Sequence, residues 1–326
     1  MSRSSLSAML RGLVAVAAGT LMPGIACAQD AWPSARISAI VGFAAGGFAD
    51  TVGRVIAKEM ADRLKQPVVV QNMPGAGGNT AGRHVSVSAA DGYTILITTT
   101  ALAINHTLYK NKGFATDALT PIAIPVTAPE SMSANAKGDL KSFRDLERVA
   151  GEGRLFVGSA GIGSGSHISA EYFFKMRAKL KITHIPFQGG SNALHALLTG
   201  DINVLATTAG AATSPAIMRG EIIGIGIASR ERLATIPMVP TFAELGFAGF
   251  EASSWVGFFA PAATPVAVLD LLNREINAAL ASPDAKARFD TIGLTGQKRS
   301  RTETEAYFTE DVKRWAEMVK ATGLSM

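Results

Sequence analysis

Glycine and small hydroxyl residues cluster at four predicted strand-to-helix turns of this chain, at residues 42–50, 72–80, 98–106 and 158–167. Turns of this kind place backbone N–H groups and a helix N-terminus at the carboxyl edge of a parallel sheet, where open α/β folds bind anions. A single glycine turn is most often structural, because glycine is needed wherever a strand turns sharply into a helix. Four such turns on one sheet edge favour an anion-binding cleft.

Other motifs that carry chemistry are missing from the sequence. There is no G-x-x-x-x-G-K-[ST] motif, and Gly161-x-Gly163 lacks the third glycine and the later acidic residue of a dinucleotide fingerprint. No G-x-S-x-G elbow offers a hydrolase nucleophile. The histidines show no metal-ligand spacing, and each is interpreted as a satisfied polar residue; they are His84, His106, His167, His184 and His195. We therefore expect no metal, no cofactor and no catalytic residue.

The N-terminal segment has the features of a secretory signal peptide. Arg3 and Arg11 accompany an apolar run at residues 13–18, and the small residues Ala26-Cys27-Ala28 follow. A membrane-spanning helix needs roughly 20 apolar residues, and glycine, threonine and proline interrupt this run first. We expect cleavage after Ala28 and a periplasmic protein, with lipidation of Cys27 as the alternative. Cys27 is the only cysteine, so the mature chain is predicted to have no disulfide and no thiol nucleophile.

Length and charge restrict the class of protein further. The 326 residues suit two domains of ordinary size with ample chain for a core. The formal net charge is +5 and the charges are well mixed, which argues against nucleic acid as a partner and suits an anionic ligand. Beyond the signal segment we find no repeat and no second membrane segment, and we expect a monomer.

Short apolar runs alternate with longer amphipathic ones, which is typical of a parallel sheet covered by helices. The first helix is predicted at residues 48–65, with Val52, Ile56 and Met60 on its apolar face. Strands are predicted at residues 36–43, 67–71, 94–99, 121–127, 155–158, 181–185, 202–206 and 222–228, and further helices at 166–179, 191–198 and 213–218.

Capping sequences indicate where other helices begin. Thr264 with Pro265 predicts the start of a helix after the apolar stretch at residues 255–260. We expect the C-terminal helices to pack back on the first half of the chain. Three sequences have the form of a capping box, and the third is predicted to open the last helix: Ser142-x-x-Asp145, Thr241-x-x-Glu244 and Thr302-x-x-Glu305.

The glycine turns and several longer runs together resemble the Bug family, the extracytoplasmic solute-binding proteins of tripartite tricarboxylate transporters. The likeness covers nearly the whole mature chain. The motifs that carry it are Gly46-Gly47-x-x-Asp50, residues 67–79 (PVVVQNMPGAGGN), residues 91–96 (DGYTIL), Gly158-Ser159-x-Gly161 with Ser166-His167, residues 184–190 (HIPFQGG) and Pro237-x-x-Pro240-Thr241-x-x-Glu244-Leu245-Gly246.

The resemblance implies an α/β fold of the type II periplasmic-binding-protein class, with two lobes joined by crossover strands and closing on a ligand. Residues 29–128 plus 256–326 would form the first lobe and residues 129–255 the second, with a hinge near Pro129 and Ser254. The implied ligand is a small carboxylate, which the protein passes to integral-membrane permease subunits. The predicted ligand-binding residues are Phe43, Ala44, Ala45, Gly46, Gly47, Asp50, Thr98, Thr99, Ala101, Asn105, Ser159, Ala160, Gly163, Ser164, His167, Gln188, Gly189 and Thr207.

Two departures from the family pattern bear on the ligand. Ala44 and Ala45 stand where the family usually has prolines, but the neighbouring glycines remain, so we expect the anion site to survive. Thr207 stands where many relatives carry an acidic residue. Without that carboxylate a ligand ammonium has less to bind, so the sequence favours plain carboxylates, including dicarboxylates and aromatic acids, over amino acids.

Two other functions remain open at this point. The same pocket would serve a sensor that presents its ligand-bound form to a membrane receptor. A lyase or isomerase acting on a carboxylate would use Asp50, His106 or His167 as acid or base. No nucleophile and base are paired at a recognisable spacing, so we expect a binding protein rather than an enzyme.

Overall fold

The structure is a computed structural model that describes residues 32–210 and 212–326. The predicted signal peptide, residues 1–28 with Cys27, lies outside the described residues. None of the helices within the described ranges is long and apolar enough to cross a membrane.

Short runs rich in valine, isoleucine and threonine form the strands, as expected for residues that pack well on a pleated surface. The described strands are β1 (Ile37–Val41), β2 (Val68–Asn72), β3 (Thr94–Thr99), β4 (Leu119–Asn135), β5 (Phe156–Ser159), β6 (Thr183–Pro186), β7 (Val204–Thr208), β8 (Ile222–Ile227), β9 (Ser253–Pro261) and β10 (Thr295–Gly296).

Strand β4 links two sheets because its two halves have different partners. β1 lies parallel to β2 and β3, and β9 runs antiparallel between β3 and the first half of β4, where β10 also pairs. The second half of β4 pairs with β7 and β8, and β5 lies parallel to both β6 and β7. The exchange occurs between Pro129, which faces Ser253, and Glu130, which faces Thr208.

Helices cover the sheets. The described α-helices are α1 (Phe48–Leu64), α2 (Asn79–Ser86), α3 (Ala101–Leu108), α4 (Phe143–Gly151), α5 (Gly165–Tyr172), α6 (Gly190–Thr199), α7 (Thr213–Met218), α8 (Val266–Leu280), α9 (Pro283–Ile292) and α10 (Arg301–Thr322), with a 3-10 turn at Ala76–Gly78 and a π-helical segment at Phe173–Ala178.

Amphipathic spacing explains how α1 is placed. Val52, Ile56 and Met60 recur every four residues, so they share one face and are fully buried in the same cluster as β1 and β3. The helix ends at Lys65, which adopts the left-handed conformation. α8 packs against α1 and β4, and α10 packs against α3. The C-terminal helices therefore return to the first half of the chain, as predicted.

Four clusters of buried apolar residues are found among the described residues, and two of them show how the two sheets are covered. One buries Ile37 and Val256 together with α1 and α8. The other is centred on Phe173 with the partner rings Phe242 and Phe250, on the side of β4 that pairs with β7 and β8. Apolar burial around two separate centres stabilises two α/β units, which we refer to as the first and second lobe.

Every predicted strand overlaps an observed one, but β4 is much longer than residues 121–127. The predicted strand stopped before Pro129, because proline lacks an N–H donor and usually ends a strand. Pro121 and Pro125 lie where the pairing of β4 is irregular, and Pro129 lies where β4 changes partners.

The predicted helix starts need several corrections. The capping box of the last helix is formed by Ser300 and Glu303, not by Thr302 and Glu305. Pro265 takes the N-cap position of α8, and the Thr264 hydroxyl has no hydrogen-bond partner among the described residues.

Other helical predictions were incomplete. The helix predicted at residues 166–179 changes to π-helical winding at Phe173. The helices α2, α3 and α9 were not predicted. The boxes at Ser142 and Thr241 are confirmed, although Thr241 opens only a turn.

Candidate functional site

The glycine turns of the two lobes meet at a closed cleft. The Ala44 N–H donates to the Gln188 carbonyl at 3.0 Å. The Ser191 hydroxyl donates to the Ala45 carbonyl at 2.9 Å. Gly189 approaches closely enough that a Cβ there would lie 3.1 Å from the Ala44 Cβ. The first predicted turn thus faces residues 188–191, where the chain enters α6.

Two cavities lie in this cleft, and Phe43 and Ala160 line both. The inner cavity has a volume of about 30 Å³, enough for about two water molecules. The outer cavity has a volume of about 250 Å³. The inner cavity is lined by Phe43, Gly47, Phe48, Ala49, Thr99, Ala160, Ser164, Gly165, Ser166, Gly190, Thr207, Thr208 and Ser254. The outer cavity is lined by Gly42, Phe43, Gly75, Ala76, Gly77, Gly78, Tyr109, Ala160, Gly161, Ile162, Pro186, Phe187 and Gln188.

Three helix N-termini converge on the inner cavity. Its lining includes Phe48 and Ala49 of α1, Gly165 and Ser166 of α5, and Gly190 of α6. The first N–H groups of a helix have no intrahelical acceptor, and the helix dipole places partial positive charge there. Among the residues that the structure describes, no charged side chain lines either cavity. The cleft therefore offers neutral donors to an anion.

Asp50 organises the first turn but does not line either cavity. Its carboxylate accepts hydrogen bonds from the Gly46 N–H at 2.9 Å, Asn72 Nδ2 at 2.8 Å and Arg54 Nε at 2.9 Å. Burial acts to raise the pKa of Asp50, but these hydrogen bonds and the Arg54 charge outweigh it and leave the pKa below its usual range. The carboxylate is ionised, and its hydrogen bonds are made within the first lobe and not to the cleft.

The third predicted turn contributes one lining residue. Thr99 lines the inner cavity, and its hydroxyl accepts from the Ala101 N–H at 3.3 Å. Thr98 and Ala101 are buried behind it. The Asn105 side chain donates to the Gly77 carbonyl at 3.0 Å, so it supports the second turn and does not line the cleft.

In the second lobe, Ser164 and Ala160 line the cleft, whereas Ser159, Gly163 and His167 lie behind it. Ser164 caps α5 by accepting from the His167 N–H at 3.1 Å. The Gly163 N–H donates to His167 Nδ1 at 3.2 Å. Of the remaining predicted residues, Gln188 lines the outer cavity and Thr207 lines the inner cavity. Four others lie next to lining residues without lining either cavity themselves: Ala44, Ala45, Gly46 and Gly189.

A histidine pair behind the second-lobe turn was not foreseen. His167 and His184 stack with ring centroids 4.0 Å apart, and Ser159 Oγ lies 2.7 Å from His184 Nε2. Burial lowers the pKa of His167 to about 3 and lowers that of His184, so both rings are neutral. Ser159 is fully buried and lines neither cavity, so this serine–histidine pair is not placed to attack a ligand.

Glu171 lies near the two histidines, and one candidate ligand atom from each of the three residues lies within 4.8 Å of the others. His167 Nδ1 accepts a backbone hydrogen bond, so the proton of the neutral ring is on Nε2. That nitrogen has no free lone pair for a cation in this arrangement. Glu171 is paired with Lys175 at 2.8 Å. His167 Nδ1 and the Glu171 charge are therefore already engaged by neighbouring groups.

The prediction missed lining residues of the inner cavity in the first two positions of α1 and α5, at the end of β7 and on β9. They are Phe48, Ala49, Gly165, Ser166, Thr208 and Ser254. The helix residues lie within the predicted turns at 42–50 and 158–167, so their chain positions were available from the sequence. Ser254 had no signal, because it reaches the cavity only through the pairing of β9 with β4.

Two α/β lobes joined through β4 and β9, with glycine turns and helix N-termini facing one another across a cleft, define the fold of a periplasmic binding protein. The structure of the periplasmic binding protein BugD is similar, with a TM-score of 0.85 at 29% identity, covering 90% of this chain and 99% of BugD. The predicted fold class is confirmed.

The family model described as "Tripartite tricarboxylate transporter family receptor" matches residues 52–324, and this chain belongs to that family. Protein BugT of Bordetella pertussis is 32% identical over 324 residues, covering 97% of each chain. MatC of Rhodopseudomonas palustris with bound malate has a TM-score of 0.83 at 31% identity, covering 88% of this chain and 99% of MatC. The predicted resemblance to Bug proteins is confirmed.

Proposed function

We propose that this protein is a periplasmic solute-binding receptor. It captures a small carboxylate between its lobes and delivers it to a membrane permease of the tripartite tricarboxylate type. The observation that carries the proposal is the convergence of the N-termini of α1, α5 and α6 on one inner cavity without charged side chains. Membership of the receptor family and the malate bound by MatC support it.

Neutral donors suit a buried carboxylate. An anion that leaves water needs several hydrogen bonds to offset its lost hydration. Backbone N–H groups at helix N-termini supply them without a buried countercharge, and each helix end contributes on the order of 0.3–1 kcal/mol. The hydroxyls of Thr99, Ser164 and Thr207 lie in the same lining and add neutral hydrogen-bonding groups.

The lining also restricts the ligand. Thr207 and its neighbour Thr208 bring no negative charge to the inner cavity. A ligand ammonium therefore has no carboxylate to pair with directly, and the proposed ligand is a carboxylate without an amino group. The predicted binding residues that line the cleft are proposed to contact it, and the others to support those contacts.

Closure is part of the proposed function. An inner cavity of about 30 Å³ is too small for a dicarboxylate, so the lobes must lie further apart than here both while the ligand enters and while it is bound. We place the hinge where β4 changes partners, at Pro129 and Glu130, opposite Ser253 and Ser254 on β9. The lobes are proposed to divide at residues 128/129 and 255/256.

A thermal-shift screen of aliphatic and aromatic mono-, di- and tricarboxylates tests the proposal. A ligand present at 100 times its dissociation constant stabilises the folded protein by roughly 2.7 kcal/mol, so at least one carboxylate is expected to raise the melting temperature by several degrees. The matched amino acid, for example aspartate beside malate, is expected to give a smaller shift. No shift with any carboxylate, or turnover of a bound one, contradicts the proposal.

A further inference from the structure

Glu130 is a buried acid at the point where the two lobes join. It is 3% exposed and is the first residue of β4 to pair with β7. The Ser254 hydroxyl of β9 donates to its Oε1 at 2.5 Å, and the Thr208 hydroxyl of β7 lies 3.5 Å from the same oxygen. Its Oε2 has no hydrogen-bond partner among the described residues.

The carboxyl group lies directly behind the wall of the inner cavity. Ser254 and Thr208, which hold it, both line that cavity, and so does Gly165 at the start of α5. A Cβ on Gly165 would lie 2.6 Å from Glu130 Oε1, so the helix start touches the carboxyl group. An anion in the inner cavity would therefore sit one residue layer from Glu130.

We propose that Glu130 is a proton-binding group of the ligand site and that an anionic ligand is captured together with one proton held on this carboxyl group. The inference rests on the carboxylate-binding function proposed above. It assigns to the cleft a second bound species, the proton, which enters with the carboxylate and leaves with it.

The hydroxyl groups explain why proton and anion bind together. When Glu130 is ionised, Ser254 and Thr208 donate their hydroxyl protons to it and turn their lone pairs toward the cavity. When Glu130 is protonated, its own O–H is the donor, and both hydroxyl protons are free to point at a ligand carboxylate. A ligand anion also opposes the ionised form directly, because like charges close together disfavour each other.

Within residues 32–210 and 212–326, no positive charge pairs with the Glu130 carboxyl group. The elements packed against its carboxyl group face it with neutral groups: Thr208 of β7, Ser254 of β9 and Gly165 of α5. The Ala228 N–H, just beyond β8, donates to the Glu130 backbone carbonyl at 2.8 Å. Burial raises the pKa of Glu130 to about 7, and the two hydroxyl hydrogen bonds only partly oppose this. On α5 the next titratable side chains are committed elsewhere, because His167 stacks on His184 and Glu171 pairs with Lys175.

Titration calorimetry with malate between pH 5.5 and 8.5, in buffers of different ionisation enthalpy, tests the coupling. Wild-type protein is expected to bind malate with constant affinity below the pKa of about 7 and with a Kd that rises about tenfold per pH unit well above it. One proton is taken up per malate in the upper range. Glu130→Gln, which mimics the protonated form, is expected to bind with the low-pH affinity at every pH and to take up no proton.

The control variant is Glu251→Gln, which removes an equal charge from an exposed pair with Arg230 and is expected to follow wild type. A flat wild-type profile without proton uptake, or an unchanged slope in Glu130→Gln, overturns the proposal. Tighter binding of aspartate than of malate above pH 7 also overturns it, because Glu130 would then serve as a carboxylate for an ammonium group.

A measurement without ligand separates this inference from the proposed function. Infrared spectra of the free protein at pH 6 are expected to show a protonated carboxyl band that is absent in Glu130→Gln. Absence of this band in the wild-type protein overturns the proton site, whether or not malate binds. If the band is present but no carboxylate binds at any pH, the proposed function fails, and the coupling fails with it.

Discussion

Asp50 shows that a residue can belong to a ligand site without lining it. Its carboxylate holds the Gly46 N–H, the Asn72 amide and the Arg54 guanidinium at one point, and so gives the turn from Phe43 to Gly47 its shape. The motif Gly46-Gly47-x-x-Asp50 therefore encodes a turn and its internal acceptor. Asp50 is therefore expected to affect ligand affinity only indirectly, through the shape of this turn.

Replacing Asp50 by alanine leaves the Gly46 N–H and the Asn72 amide without their acceptor, so the first turn should loosen. We expect the Kd for the carboxylate found in the screen to rise roughly tenfold and the free energy of unfolding to fall by about 1–3 kcal/mol. Calorimetric titration and urea denaturation measure the two effects.

Asp62→Ala is the matched control, because Asp62 lies on the same helix, pairs with Lys58 and is exposed. It should change stability by no more than about 0.5 kcal/mol and leave affinity alone. Unchanged affinity in Asp50→Ala would show that the turn does not act on the ligand.

At the scale of elements, the sequence at the start of α10 offers two possible capping boxes, Ser300 with Glu303 and Thr302 with Glu305, and the structure contains the first. Ser300 and Glu303 exchange hydrogen bonds, with the Glu303 N–H donating to Ser300 Oγ at 3.3 Å and the Ser300 N–H to Glu303 Oε2 at 2.8 Å. Thr302, two residues later, is already inside the helix. α10 buries Trp315 and packs on α3, so its stability contributes to the first lobe.

Ser300→Ala removes the cap acceptor and is expected to lower the free energy of unfolding by about 1 kcal/mol. Thr302→Ala is the comparison and should change it by less than about 0.5 kcal/mol. Urea denaturation of both variants decides between the two schemes. Equal losses, or a larger loss in Thr302→Ala, would contradict the cap assigned to Ser300.

At the scale of the whole molecule, closure depends on glycines that let the lobes touch. Gly77, with φ of 60°, lies against Ile162 of the second lobe, and a Cβ there would overlap the Ile162 carbonyl oxygen. Asn105 supports Gly77 from behind, so the turn has little room to retreat. The backbone of the second turn is therefore part of the closing surface.

Gly77→Ala is expected to hinder closure and to weaken ligand binding by roughly tenfold or more, in line with the 1–3 kcal/mol typical of overpacking. Solution scattering should then show less compaction on ligand addition than in wild type.

Gly153→Ala is the matched control, since Gly153 has φ of 71° and no neighbouring atom within 4 Å of the added Cβ. It carries the same backbone penalty, about 1–2 kcal/mol, without the contact between lobes. Equal affinity in the two variants would argue that the closed contact is not used in binding.

The sequence by itself determined the α/β class, the position of most strands and the four glycine turns, because these depend on local periodicity and on residues with special backbone freedom. Phe43, Gly47, Thr99, Ser164 and Thr207 were predicted for the site and do line the cleft. The family resemblance was also present in local motifs, such as residues 67–79.

Only the tertiary structure decided which side chains of each turn face the cleft and which face the interior. Asp50 and His167 lie in the right turns, yet their side chains are held by neighbours within their own lobe. Ser254 and Glu130, about 120 residues apart in sequence, approach the cavity because β4 changes partners where it leaves β9. Pairing over such separations depends on the whole packed sheet, and no local pattern of residue types encodes it.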